Sequence, residues 1–282
     1  VSHTLDGRLI VTNKETGEIE QEVQLADASI AEVITAAPLV VKNSAITGVA
    51  GAEYGIRGWL HSTNLADGSK NWRTYTIPAP DEPGGDTWKQ GPEAHSKDAW
   101  MHGGGSTWVV GSYDPDLDVI YWGVGNPGPD WDNEYRPGDN LYSNSVLALD
   151  ADSGKIKWYF QYTPNDPYDF DGVNEQTLVD AKIFGKKTKA VLHADRNGFA
   201  YALDRESGKF LWGTPFVKKL DWTAGLDKYT GRPLDYDPNK DVQRYVPSSS
   251  AFRAQPEATS CPGNMGGKNW PPTAYDPDRN MY

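Results

Sequence analysis

The sequence predicts an all-β chain of small antiparallel sheets arranged as a propeller, and three observations predict it. One hairpin pattern recurs four times: an apolar alternating run, a polar turn closing in glycine and, in three copies, a tryptophan four residues later. The 29 glycines and 20 prolines among 282 residues favour many turns over long helices. The 11 tryptophans and 15 tyrosines supply large apolar surfaces for a core between sheets.

The first copy runs from Gly7-Arg8-Leu9-Ile10 to Gly17, with Gln21 in the aromatic place. The second has Gly58-Trp59-Leu60, Gly68 and Trp72; the third has Ser145 to Asp150, Gly154 and Trp158; the fourth has Phe199 to Asp204, Gly208 and Trp212. Each reads as two strands joined by a tight turn whose glycine supplies a positive φ. Asn197-Gly198, between the apolar runs Ala190 to Ala194 and Phe199 to Leu203, marks a further hairpin. The outer intervals lie near the ~50 residues of a four-stranded blade. The middle interval is longer because it holds an insertion-rich stretch, about residues 78–105. One such unit cannot bury both of its faces, so neighbours must stack, and the tryptophan is expected to wedge between blades. Residues 1–282 are read as one incomplete propeller domain, an internal piece of a longer chain. It starts at Val1 with neither Met nor a secretory h-region, and it ends in a turn from Asp276 that points toward a further strand.

The net charge of -12 disfavours nucleic acid and anionic membranes as partners, since both require basic surface. It suits a basic protein surface instead. Cys261 is the only cysteine, which excludes a disulfide within the chain and a multi-cysteine zinc site. The longest apolar stretch, Ala31 to Val41, is broken by Glu32 and Pro38, short of the ~20 residues of a membrane span. No His-Glu-x-x-His or Gly-x-Ser-x-Gly pattern is present.

Chemistry gathers first in Pro164 to Glu175, a loop bracketed by prolines and a glycine. Asp169 and Asp171 are two residues apart, so on an extended backbone they leave on the same face. Charges that close repel, and one takes up a proton unless a cation lies between them. Gly123 to Gly128 fits the spacing G-x-G-x-x-G, but Pro127 and Pro129 deny it the helix a dinucleotide loop must open. That stretch offers Asn126, an amide oxygen suited to a hard cation. Gly103-Gly104-Gly105 before Trp108 suits a flat ligand approached by backbone over an indole floor. Glu53 stands among small residues, Gly51, Ala52 and Gly55, and Arg196 sits beside a hairpin turn, apt for a carboxylate or quinone oxygen. Read singly, each has an ordinary alternative as a turn, a core tryptophan or surface.

Together, and in order along essentially the whole chain, these segments resemble the quinoprotein alcohol dehydrogenases, the methanol and ethanol dehydrogenase family that uses pyrroloquinoline quinone. The resemblance is carried by Ile34 to Pro38, Gly51 to Gly58, Gly103 to Trp108, Gly125 to Gly128, Arg136 to Asn140, Asp169 to Asn174, Asp195 to Gly198 and Gly266 to Trp270. It implies part of an eight-bladed β-propeller of quinoprotein dehydrogenase type with the quinone at its axis. By the same resemblance Glu53, Asn126, Asp169 and Asp171 hold the metal, and Asp169 is the base that takes the alcohol proton. Arg196 touches the quinone oxygens, Trp108 is the stacking floor, and Thr35, Gly51, Ala52, Ser106, Asn269 and Trp270 are further cofactor contacts. Asp171 matches the extra aspartate of the lanthanide-dependent branch, where calcium-dependent members usually carry a small residue. Three carboxylates balance a trivalent ion, and the quinone must complete the 6–8 oxygen ligands that such cations take. A cation beside Asp169 also lowers its proton affinity, in tension with its work as a base.

The expected activity is oxidation of a small primary alcohol, methanol- or ethanol-like, to an aldehyde. The family further implies a c-type cytochrome as electron acceptor, a periplasmic location and room for a homodimer. Two departures stand out: Ala50 replaces the Ser or Gly of many relatives, and the family's adjacent-cysteine pair is not in this stretch. Two rivals remain, a calcium-dependent dehydrogenase of the same family and a non-catalytic propeller scaffold. Glu53 and Asp169 at opposite ends of the propeller would favour the scaffold.

Overall fold

The structure is a computed structural model describing residues 1–282. Its strands form four antiparallel sheets that follow one another along the chain, each a simple meander. Sheet I holds Ser2–His3, Arg8–Thr12 and Ile19–Gln24. Sheet II holds Leu39–Val41, Ser44–Gly48, Trp59–Asn64 and Lys70–Tyr75. Sheet III holds Ser112–Asp114, Val119–Val124, Ser145–Asp150 and Ile156–Gln161, and sheet IV holds Thr177–Ile183, Lys186–Ala194, Phe199–Asp204 and Phe210–Pro215. The sequence repeat is the outer hairpin of each sheet. The chain is all-β and forms part of a β-propeller.

The repeat has a local cause. In every copy the pairing slips by one residue at the same place, after Val11, Ser62, Ala148 and Ala202. The turn then closes on a side-chain oxygen: Asn13, Asn64, Asp150 and Asp204 each accept a turn N–H at 2.9 Å. The closing glycine donates back to the same residue's carbonyl, and Gly17, Gly68, Gly154 and Gly208 all have φ between 68° and 77°.

Those glycines also join the sheets. A Cβ on Gly154 would run into the indole of Trp72, and one on Gly208 into that of Trp158. The aromatic of one sheet therefore lies under the turn of the next, as the fixed offset predicts. At the first junction Gly68 meets Val23 and Gln21, which is why Gln21 suffices there. Trp72 is buried and donates from Nε1 to the Ala151 carbonyl at 3.2 Å. Trp72→Ala is expected to destabilise the protein by about 3–5 kcal/mol, measured by chemical denaturation.

His61, in sheet II, gives a second test. It is 5% exposed and accepts from Arg73 Nε through Nδ1 at 3.1 Å. Burial first, then the charges of Arg73 and Lys70, lower its pKa to about 4. The unfolded chain therefore binds a proton that the native state refuses between pH 6.5 and about 4. Stability present above pH 6.5 is lost as the pH falls through that window, by about 3 kcal/mol at most. His61→Gln is expected to flatten that part of the curve of melting temperature against pH.

Two regions depart from the repeat. Between Tyr75 and Ser112 the insertion forms 3₁₀ turns at Gly85–Thr87 and Ala94–His102. After Pro215 only isolated bridges occur, yet residues 216–282 are not loosely attached. Trp222 and Tyr245 enter the largest apolar cluster with Tyr121, Tyr162, Phe170, Phe199 and Tyr201 from sheets III and IV and the loop between them. Phe170 is fully buried, packed on Tyr168 at 4.8 Å and Trp222 at 5.3 Å between ring centres. It is the residue between Asp169 and Asp171, so the core anchors the acidic loop.

Candidate active site

The acidic loop is splinted from within by Asp166. Its two carboxylate oxygens accept the N–H groups of Tyr168 at 2.8 Å and Phe170 at 2.7 Å, and Asn144 Nδ2 at 2.8 Å. Asp169 is thereby held at φ 61°, the left-handed region that aspartate visits more readily than most residues. This corrects the sequence reading of an extended segment. The left-handed backbone at Asp169, not strand alternation, sets how Asp169 and Asp171 are disposed.

A second loop, after Val119–Val124, brings Asn126. Gly125 is needed there, because a Cβ would strike Asp171 Oδ1 and crowd Ser106. Asn126 is 6% exposed and directs its Nδ2 to Asp130 Oδ1 at 2.8 Å and to the Pro127 carbonyl at 3.3 Å. The fully buried Arg136 ties the two loops. It donates to the carbonyls of Pro129 at 2.9 Å, Asp130 at 3.0 Å and Asp166 at 2.6 Å, and to Asn140 Oδ1 at 2.9 Å.

Glu53 lies on the 3₁₀ turn Ala52–Tyr54, flanked by Gly51 at φ 122° and Gly55 at φ 76°, with Ala52 buried and Glu53 itself exposed. Trp108 donates from its indole Nε1 to Asp171 Oδ2 at 2.8 Å, and Thr35 Oγ1 donates to the Trp108 carbonyl at 3.2 Å. Arg196 pairs with Asp171 Oδ2 at 3.2 Å and donates to Asn269 Oδ1 at 3.2 Å and the Asn264 carbonyl at 3.2 Å. Thus Asn126, Asp169, Asp171, Trp108, Ser106, Thr35, Arg196 and Asn269 converge. Trp270 donates its backbone N–H to Asn269 Oδ1 at 2.8 Å and is 59% exposed.

The electrostatics mark the place as short of positive charge. Burial, followed by the charges of Asp166, Asp171 and Asp130, pushes the Asp169 carboxyl up to about 8, against the pull of Arg196. Burial lifts Asp171 to about 6, with Glu53 adding to the rise and Arg196 and Trp108 opposing it. Asp130 is raised by burial and then by Glu53. Glu53 raises both Asp130 and Asp171, and these two in turn raise Asp169, so Glu53 and Asp169 share two charged neighbours. Opposite ends of the propeller, which would have favoured the scaffold reading, would not give them those shared neighbours.

As they stand, no three carboxylate, histidine or cysteine side chains close on a common metal position. Asp171 is instead paired with Arg196 at 3.2 Å and with Trp108 Nε1 at 2.8 Å. The donor set nevertheless fits a hard cation and a quinone. Asp171 Oδ1 and Arg196 Nε are both buried without a hydrogen-bond partner. One needs a cation or donor and the other an acceptor, and a metal-bound quinone presents both.

Sequence reasoning missed Asp130, Asp166 and the role of Arg136. Arg136 acts through a contact 30 residues away that spacing does not encode, whereas Asp166 caps Tyr168 and Phe170 locally within the acidic loop. The nearest signal was Arg136-Pro137-Gly138-Asp139-Asn140, which carried the resemblance without an assigned task.

Comparison with known proteins places the chain among similar ones. Residues 3–218 match the family model described as PQQ: glucose/ethanol/alcohol dehydrogenase, β-propeller domain. The chain is 42% identical to the quinoprotein alcohol dehydrogenase PedH of Pseudomonas putida, over 99% of this chain and 47% of that protein. It is 38% identical to the lanthanide-dependent methanol dehydrogenase of Methylacidiphilum fumariolicum, over 99% of this chain and 46% of that one. Among solved structures, a europium-containing methanol dehydrogenase superposes with a TM-score of 0.87 at 36% identity, covering 99% of this chain and 48% of its own. The chain spans about half the length of the curated relatives it matches.

Proposed function

Since the chain belongs to the family of pyrroloquinoline-quinone alcohol dehydrogenases through its β-propeller domain, we propose that the protein oxidises a primary alcohol to its aldehyde. The reaction uses the quinone and a trivalent lanthanide ion held at the acidic end. The observation that carries this reading is the buried, unpartnered oxygen of Asp171 beside an aspartate whose carboxyl is pushed up to about 8. Burial leaves one acid without a partner and lets the other keep its proton, and a cation between them would satisfy both.

Glu53, Asn126, Asp169 and Asp171 would hold the ion. Trp108 would support the quinone ring, with Thr35, Gly51, Ala52, Ser106 and Asn269 around it and Arg196 toward its oxygens. When bound, the quinone supplies a two-electron acceptor and the ion a Lewis acid. Asp169 binds the alcohol hydroxyl and takes its proton as the carbon loses a hydride equivalent, leaving the aldehyde. Arg196 offers the unpaired Nε–H and so favours a ligand oxygen that gains negative charge. Phe170 and the aromatic cluster behind it exclude water from the floor of the loop. Transfer of the electrons to a c-type cytochrome, a periplasmic location and a homodimer belong to the same proposal and rest on family resemblance.

Calcium is the second reading, and one observation favours it: Arg196 already offsets part of the Asp171 charge at 3.2 Å. The test is reconstitution of the full-length apoprotein with quinone and either La³⁺ or Ca²⁺, following alcohol-dependent dye reduction. Higher turnover with La³⁺ supports the proposal, higher turnover with Ca²⁺ moves it to the second reading, and no turnover with either ion overturns both.

A further inference from the structure

We propose that Asp130 is a positioning residue: its carboxylate holds the amide nitrogen of Asn126, so that the amide oxygen faces the metal. This rests on the metal-dependent reading above. An asparagine ligates a cation one way round only, because its other end carries two N–H donors. Rotation of the amide by half a turn would aim those donors at the ion and abolish the bond.

Asn126 is 94% buried by its exposure of 6%, so solvent does not choose the orientation. The neighbours do. One end of the amide faces Asp130 Oδ1 at 2.8 Å and the Pro127 carbonyl at 3.3 Å. Both are acceptors, so that end must be the nitrogen. The Pro127 contact is long and the Asp130 contact is charge-assisted, which makes Asp130 the stronger of the two. Asp130 is itself fixed, since its carbonyl is held by the buried Arg136, the residue that also holds the Asp166 end of the base-bearing loop. The orientation of one ligand and the seating of the other thus share one anchor. Outer partners of this kind typically change metal affinity 10- to 100-fold when removed.

The competing role for Asp130 is direct: a fourth acid that attracts or ligates the ion through its charge. Two substitutions separate the roles. Asp130→Asn removes the charge and keeps an acceptor oxygen for Asn126, while Asp130→Ala removes both. La³⁺ is titrated by calorimetry into the quinone-loaded full-length protein, with thermal unfolding of the metal-free forms as a folding control. Asp130→Ala is expected to bind La³⁺ about 10- to 100-fold more weakly, and Asp130→Asn within a few-fold of the parent. If Asp130→Ala does not fold, Asp130→Ser supplies the second arm: its short side chain withdraws the acceptor from Asn126 Nδ2 and should weaken La³⁺ to the same degree. Where Asp130→Ala does fold, adding Asn126→Asp should restore binding at least to the parent's, because a carboxylate has no wrong way round. The inference is overturned if Asp130→Ala binds as the parent does, if Asp130→Asn is as weak as Asp130→Ala, or if the double variant stays weak. A parent protein that binds neither La³⁺ nor Ca²⁺ in the presence of quinone fails differently, and it takes the functional reading down as well.

Discussion

Asp169→Asn is expected to lower kcat for alcohol oxidation by about 100- to 10,000-fold, the range that a positioned general base contributes. The substitution keeps shape and one acceptor oxygen but cannot take a proton. Its strength as a base poses a problem, because an adjacent cation pulls a carboxyl pKa down. The structure supplies a counterweight. Asp166 is fully buried and Asp130 is raised by burial; neither belongs to the proposed ligand set, and both press negative charge on Asp169. The ion thus meets a carboxylate whose proton affinity starts from about 8 and not from the ordinary carboxylate range. The measurement is kcat in full-length protein whose quinone and metal content has been verified. A loss smaller than about tenfold with the cofactors in place would put the base elsewhere, since no general-base role fits so small an effect.

Asp171→Ala has the other large effect, and it divides by metal. Ligand charge count tunes cation affinity, so removing one of three carboxylates should weaken La³⁺ far more than Ca²⁺. The expected outcome is loss of La³⁺-dependent turnover by about 100-fold or more, with Ca²⁺-dependent turnover kept within about tenfold. The same change strands Arg196, whose guanidinium sits 3.2 Å from Asp171 in a buried place. Breaking such a pair from one side typically costs about 3–5 kcal/mol, so the metal-free variant should also unfold at lower denaturant. Equal losses with both ions would mean that Asp171 serves the fold and not the choice of metal.

Much of this was legible in the sequence for a physical reason. A turn that needs a side-chain cap at Asn13, Asn64, Asp150 or Asp204, a positive φ four residues later and room for the neighbouring aromatic leaves a fixed string of residues. That string was readable, and so were the sheets around it. Another copy of the turn escaped notice because it falls off the period: Asp227 caps Thr230 at 2.8 Å and Gly231 lies over the ring of Phe210. It is the same local chemistry without strands to follow, and no spacing rule points to it. The strandless course of residues 216–282 was illegible for a related reason, since Trp222 and Tyr245 are held by distant aromatic rings and not by any local pattern.

At the site, residue types were legible and geometry was not. Asp169, Asp171, Asn126 and Arg196 were singled out by chemistry, and the structure brings them together. That Asp169 adopts a left-handed conformation depends on Asp166, which caps residues two and four positions on, and the joining of the two loops depends on Arg136, a polar contact that spans 30 positions. Trp270, named by the same motif as Asn269, keeps its backbone N–H on Asn269 Oδ1 with much of its surface exposed, a geometry the motif did not convey.

Arg136 makes the Asn126 and Asp169 loops one stiff jaw, whereas Glu53 rides separately on a short exposed turn between two glycines. In the proposed metal complex Glu53, the exposed one of the four ligands, is therefore the expected door for ion exchange, and the loops joined by Arg136 are the fixed side of the site.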